Sequence, residues 1–145
     1  MPELTFSTAK DEDVSVIYDM CKNLIDAYED VDRIDYQKVL QWVYHKINSN
    51  ISSYTCVYKN RDKVAYYRLD QQDEKWELDD LYVLSDFRCC GIGSQILKKC
   101  ILESSANLYL YVFKRNTRAI RLYEKHGFRV TQYVGGTRCI MEFKG

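Results

Sequence analysis

Arg88-Cys89-Cys90-Gly91-Ile92-Gly93 is the stretch on which the fold turns. It separates two periodicities. Before it, Trp76 to Leu84 reads as a strand, with Leu78 and the Leu81-Tyr82-Val83-Leu84 block apolar. After it, Ile92, Ile96, Leu97, Cys100 and Ile101 recur at three- and four-residue spacing, which predicts a helix over Gly93–Glu103. Leu108 to Phe113 is then almost continuously apolar, as a strand covered on both faces requires. Strand, glycine turn, helix and strand make one β-α-β unit over residues 76–113, and such a crossover joins parallel strands in the right-handed sense. The two glycines let the main chain turn tightly and meet a ligand closely. A helix start leaves N–H groups unpaired and carries partial positive charge, which suits a phosphate. Taken alone, Gly-x-Gly is met equally by a tight strand-to-helix turn. A dinucleotide fingerprint is excluded because its third small residue would fall on Ile96, and the Gly-Lys-Ser/Thr of a P-loop is absent.

Working outward, Leu4 to Ser7 reads as a short strand. Val14, Ile17, Tyr18, Cys21, Leu24, Ile25 and Tyr28 form an amphipathic helix, with Ser7, Thr8 and Asp11 available to cap it. Tyr36, Val39, Leu40, Val43 and Ile47 form a second helical stripe, closed by Asn48-Ser49-Asn50. Tyr54–Tyr58 and Lys63–Leu69 are strands about a turn at Lys59–Asp62, and Gln71–Lys75 is a polar turn. On the C-terminal side Asn116–His126 is a helix ended by Gly127, and Phe128–Val134 and Arg138–Phe143 are strands around Gly135-Gly136. The predicted order is β-α-α-β-β-β-α-β-α-β-β. That is an α+β (mixed α/β) fold with a central mixed sheet. No repeat or linker divides it, so residues 1–145 are expected to form a single domain.

The chain has 145 residues, 46% of them hydrophobic and 29% charged, the composition of a globular domain. Its 21 Lys+Arg balance 21 Asp+Glu, which excludes non-specific nucleic-acid binding, since that requires a basic surplus. No run of roughly 18–20 apolar residues is present to span a membrane. The start, Met-Pro-Glu-Leu-Thr, lacks signal-peptide features, so a cytoplasmic location is expected. The 6 cysteines include no C-x-x-C pair, and His45 and His126 stand at no zinc-finger spacing from them. Free thiols and no metal site are expected.

Asn116-Thr117-Arg118-Ala119-Ile120-Arg121-Leu122-Tyr123-Glu124-Lys125-His126-Gly127-Phe128 follows the buried strand. Together with Arg88–Gly93 upstream, it resembles the GNAT superfamily of acyl-CoA-dependent N-acetyltransferases. The family motifs Arg/Gln-x-x-Gly-x-Gly/Ala and Asn-x-x-Ala-x-x-x-Tyr-x-x-x-Gly-Phe are both met, in order. The run Leu78–Arg88 with Gly91–Lys98 looks most like the spermidine/spermine acetyltransferase branch. The chain departs from the family at Cys89, where most relatives carry glycine. A positive φ there would strain a cysteine.

The resemblance implies a sheet whose parallel strands near 80–84 and 108–113 splay apart to admit acetyl-CoA. The pyrophosphate would rest on the amides of Cys89, Cys90, Gly91, Ile92, Gly93 and Ser94, with Arg88 adding charge. The pantetheine arm would meet strand backbone at Leu81, Tyr82 and Val83, and Asn116 would touch the arm or cap its helix. An attacking ammonium must first lose a proton, for which Glu77, Asp79 and Asp80 are candidates. Alternation puts Glu77 and Asp79 on one face and Asp80 on the other unless a bulge intervenes, and the polyamine-like match favours Asp79. A strand N–H near Tyr82 or Val83 would serve the oxyanion. Tyr123 matches the family's tyrosine acid, which protonates the departing thiolate and adjoins the cofactor. Asp26, Tyr28, Glu29 and Asp80 are candidates for the acceptor side, where an acidic rim would gather a polyamine or other cationic small-molecule or peptide amine. Neither a metal nor a nucleic-acid or membrane partner is implied, and a homodimer follows by analogy. The competing reading keeps the fold as a catalytically weak CoA-binding or protein-interaction module.

Overall fold

The structure, a computed structural model, describes residues 3–145. Met1 and Pro2, the first residues of the predicted domain, lie outside the described residues. The expected element order is found. It runs β1 (Leu4–Thr8), α1 (Val14–Tyr28), α2 (Tyr36–Ser49), β2 (Tyr54–Lys59), β3 (Asp62–Gln72), β4 (Lys75–Val83), α3 (Ile92–Glu103), β5 (Leu108–Phe113), α4 (Thr117–Lys125), β6 (Phe128–Val134) and β7 (Arg138–Phe143). The strands form one 7-stranded sheet in the order β1-β2-β3-β4-β5-β7-β6. β4 and β5 are parallel and every other neighbouring pair is antiparallel.

Each face of the sheet has its own core. On one face, α3 and α4 bury Ile92, Ile96, Leu97, Cys100 and Tyr123 with Leu78, Leu110, Phe128 and Met141. On the other, α1 and α2 bury Ile17, Ile25, Leu40, Val43 and Ile47 against Tyr54, Cys56, Tyr66 and Tyr82. Removing such side chains from water stabilises by about 1.5–3 kcal/mol each, so these stripes hold the helices in place.

Three local details differ from the sequence reading. Ser7 and Thr8 lie in or at the end of β1, and α1 begins after buried Asp13, whose Oδ2 accepts from the Lys10 N–H at 2.8 Å. The turn expected over Gln71–Lys75 shrinks to Asp73 and Glu74, with Asp73 at φ +57°, because the polar ends of β3 and β4 pair out into solvent. Most important, β4 carries a bulge. Arg68 lies opposite Asp80 and Leu69 opposite Leu78, leaving Asp79 without a partner on β3. The extra residue reverses the alternation. Trp76 and Leu78 face α3 and α4, and so do Leu81 and Val83. Asp80 is thereby turned to the α1/α2 face with Tyr82, which corrects the plain alternation that set it opposite Glu77 and Asp79.

Candidate active site

β4 and β5 pair only at Trp76–Leu108 and Glu77–Tyr109, after which they part. Beyond that point the edge of β4 has lost its neighbour. The Leu84 N–H donates to Val64 O at 2.9 Å, so in an antiparallel ladder Tyr82, two residues back, also directs its main chain at β3, opposite Tyr66. Leu81 and Val83 point the other way, into the gap. Val83 O indeed accepts from Arg88 Nε at 3.3 Å. Register thus directs the Tyr82 main chain at β3, while Leu81 and Val83 line the gap.

Above the gap the chain turns through Cys89 at φ +64° and Gly91 at φ +79° into α3. Cys89 thus adopts the left-handed conformation that strains a residue with a Cβ. Among the described residues, no acceptor pairs with the main-chain N–H groups of Cys89, Cys90, Gly91, Ile92, Gly93 or Ser94. Nothing stands within 4 Å of a Cβ built on Gly91, so the space beside that residue is open. At Gly93 a Cβ would lie 3.4 Å from Leu122 Cδ2, which sets how closely α3 and α4 approach. The Ser94 hydroxyl is engaged by His126 Nε2 at 3.0 Å, leaving its N–H for the loop. A cradle of unpaired amides with no acidic side chain in the Arg88–Ser94 run fits a diphosphate.

Asn116 caps α4, its side chain accepting from the Ala119 N–H at 3.3 Å. This fixes the helix that carries Tyr123. Tyr123 is 9% exposed, and its hydroxyl takes no hydrogen-bond partner among the described residues. Burial, and after it the Asp80 and Cys100 charges, push its pKa up to about 12, so the phenol is protonated at neutral pH.

The three carboxylates of β4 have different surroundings. Asp79 Oδ2 pairs with Lys46 Nζ at 2.8 Å and Arg68 Nη1 at 2.6 Å. Asp80 accepts from the Tyr54 hydroxyl at 2.5 Å and the Tyr82 hydroxyl at 2.8 Å, with Lys46 Nζ at 3.8 Å. Its burial raises its pKa, against the pull of Lys46. Glu77, half-buried, accepts only a long 3.4 Å contact from the Tyr109 hydroxyl. Burial raises its pKa as well, with the Asp79 charge adding to it. Lys46, Arg68 and Tyr54, which complete this cluster, do not stand out in the sequence. A signal for Lys46 is present all the same: it continues the Val39–Val43 stripe of α2, and an ammonium on a buried stripe demands a carboxylate.

On the acceptor side, Tyr28 and Glu29 end α1 beside β5. The Tyr28 ring lies 6.3 Å from that of Phe113, and Arg115 donates to both main-chain carbonyls, at 3.3 Å and 3.4 Å. Asp26 faces elsewhere. It binds Lys22 at 2.8 Å and the Tyr36 hydroxyl at 2.5 Å, and with Val31, Asp32 and Tyr36 it lines an open cavity of about 390 Å³. Asp26 and Asp80 share no partner, so the acidic residues form two separate groups. All of Cys21, Cys56, Cys89, Cys90, Cys100 and Cys139 are free thiols, with Cys89 and Cys90 exposed. Among the described residues no cluster of three or more His, Cys, Asp or Glu is placed to hold a metal, and no helix is long and apolar enough to cross a membrane.

Solved structures share this architecture. The PaiA N-acetyltransferase of Thermoplasma acidophilum in complex with coenzyme A superposes with a TM-score of 0.73 at 19% identity, over 99% of each chain. YjaB of Escherichia coli in its apo form gives 0.72 at 19%, over 99% of each. Arabidopsis thaliana Naa50 with the bisubstrate analogue CoA-Ac-MVNAL gives 0.62 at 21%, over 98% of this chain and 99% of that one. At such identities these show the fold. The model of the Acetyltransferase (GNAT) family matches residues 17–128, which takes in both motifs, the gap and the bulge. The chain belongs to that family and is an N-acetyltransferase that draws its acetyl group from acetyl-CoA.

Proposed function

We propose that this chain, acting as one catalytic domain, moves the acetyl group of acetyl-CoA directly to a primary amine within a ternary complex. The amine is borne on a cationic molecule, a polyamine or a basic peptide. The observation that carries the reading is the coincidence of unpaired amides at Cys89–Ser94 with a sheet that parts directly below them. The diphosphate rests on those amides, and the arm runs along the Leu81 and Val83 edge of β4 in place of a strand. The Val83 N–H is the donor available to the carbonyl oxygen as it gains charge.

Glu77 takes the proton of the incoming ammonium, directly or through water. Its raised pKa and the absence of an ion-pair partner among the described residues suit it better than Asp79, which already holds two cations. The amine nitrogen then bonds the carbonyl carbon as the C–S bond breaks. Tyr123 protonates the departing thiolate from an unengaged hydroxyl. The acidic residues at the end of α1 and in the turn to α2, Asp26, Glu29 and Asp32, draw a cationic acceptor toward the site. The bisubstrate analogue bound by Naa50 joins coenzyme A to a peptide in one molecule, which supports direct transfer.

An amine panel with acetyl-CoA, read as thiol release, tests the reading. Intersecting double-reciprocal lines are expected, and Tyr123→Phe lowers kcat about 10²–10⁴-fold with coenzyme A affinity kept. Parallel lines would replace direct transfer by a covalent intermediate. Coenzyme A binding with no thiol release for any amine would favour the binding-module alternative.

A further inference from the structure

Lys46 reaches from α2 under the sheet's splayed edge to a place where an acceptor ammonium would otherwise be attracted. Its side chain is 22% exposed. Its Nζ lies 2.8 Å from Asp79 Oδ2 and 3.8 Å from Asp80 Oδ2, with the Trp42 ring centroid at 5.9 Å. Arg68 Nη1 binds the same Asp79 oxygen at 2.6 Å, and its Nη2 lies 3.6 Å from Asp70. The remaining bonds to Asp80 come from the neutral hydroxyls of Tyr54 and Tyr82. Two fixed cations therefore face two carboxylates at the bulge. Among the described residues Glu77 on β4 has no ion-pair partner, only the Tyr109 hydroxyl.

We propose that Lys46 is a specificity-determining residue: together with Arg68 it offsets Asp79 and Asp80 and leaves Glu77 as the β4 carboxylate without an ion-pair partner among the described residues. The reaction centre then accepts one ammonium and repels a second one carried a few methylenes away. A molecule with further positive charge must place it at a distance, on the separate acidic group around Asp26 and Asp32. This rests on the acetyl-transfer reading above and narrows it. Monoamines and the amino groups of peptides fit and short diamines meet Lys46, whereas a longer polyamine fits where its further charge reaches the acidic group around Asp26 and Asp32. The physical basis is the rejection of a competitor by like charge at a partly buried site, where screening is weak.

The test compares kcat/KM for 1,4-diaminobutane and butylamine at saturating acetyl-CoA and low ionic strength. In the wild type the diamine-to-monoamine ratio is expected well below one. Lys46→Met raises it by about tenfold, the scale of one like-charge contact removed. Lys46→Arg restores the wild-type ratio. A merely structural lysine would change both amines alike and leave the ratio fixed. Should Lys46→Met fail to fold, the wild-type ratio alone still decides. A ratio at or above one, with thiol released from both amines, overturns the role of Lys46 and leaves acetyl transfer standing. No thiol release with any amine overturns acetyl transfer and this inference with it.

Discussion

Gly91→Ala separates the phosphate loop's two demands on its glycine. Gly91 sits at φ +79°, and a Cβ there would meet nothing within 4 Å. The methyl group therefore clashes with no part of the protein, and its cost is conformational. Holding an alanine in the left-handed region costs about 1–2 kcal/mol, and the less flexible unfolded chain returns about 0.4–1 kcal/mol. The net loss is about 0.5–1.5 kcal/mol, or roughly 2–6 °C in Tm for a chain of this size. Gly135 supplies the control. It stands at φ +60° with open space around it, in the β6–β7 turn, away from the phosphate loop. Gly135→Ala should lower Tm by a similar amount. The two variants diverge in binding. At Gly91 the methyl is added within the loop proposed to hold the diphosphate, and forfeiting one or two hydrogen bonds to a charged group costs about 1.5–3 kcal/mol each. Calorimetry should show the coenzyme A Kd raised roughly 10–100-fold or more in Gly91→Ala and unchanged in Gly135→Ala. Equal melting losses with equal, wild-type affinities would refute the placement of the diphosphate on this loop.

Three further outcomes follow from charge and burial. Glu77→Gln should lower kcat and flatten the acid limb of the pH profile, which rises with pH through a pKa above that of an ordinary glutamate. Because folding raises the Glu77 pKa, its stabilising contribution is full below the unfolded value and is lost as pH rises; urea melts should therefore show Glu77→Gln more stable than wild type at pH 7, with the gain gone in acid. Asp13 has the opposite sign. Burial raises its pKa, but the Tyr66 hydroxyl at 2.6 Å, the Lys10 amide and Lys63 at 2.9 Å outweigh it and hold it low. Its stabilisation is present above the unfolded pKa of 3.8 and is lost as pH falls through the folded value. Asp13→Asn should cost about 1–3 kcal/mol at pH 7, with the difference from wild type closing in acid melts. Alkylation of the native protein should reach exposed Cys89 and Cys90 and spare Cys21 and Cys100, whose pKa values burial pushes up to about 11 and about 12. Coenzyme A should protect the reactive pair, as mass spectrometry of labelled peptides would report.

What was legible in the chain was whatever local chemistry decides. Apolar spacing located α1, α2, α3 and α4. Gly127 marked the stop of α4: it sits at φ +94°, and a Cβ there would come within 3.0 Å of Phe143 and of the Gly145 backbone. The strain at Cys89 was also foreseeable, since the departure from glycine fell on a residue that adopts positive φ. The bulge was legible only in part. Leu78-Asp79-Asp80-Leu81 breaks the alternation, but where the extra residue falls depends on how β3 pairs with β4. The company of Asp80 was hidden with it. Tyr54 lies 26 positions away along the chain, and only pairing through β2 and β3 brings its hydroxyl to the carboxylate.

The parting of β4 from β5 makes the donor a component of the architecture. The four-stranded half under α1 and α2 and the three-stranded half under α4 are stitched by backbone pairing at two rungs only. On the proposed placement, an arm bearing its own amides along Leu81 and Val83 restores rungs that the polypeptide omits. The Leu81 rung belongs to the arm and survives the reaction, whereas the Val83 N–H gives up the acetyl oxygen. The spent coenzyme still occupies the seam and competes with fresh donor for it.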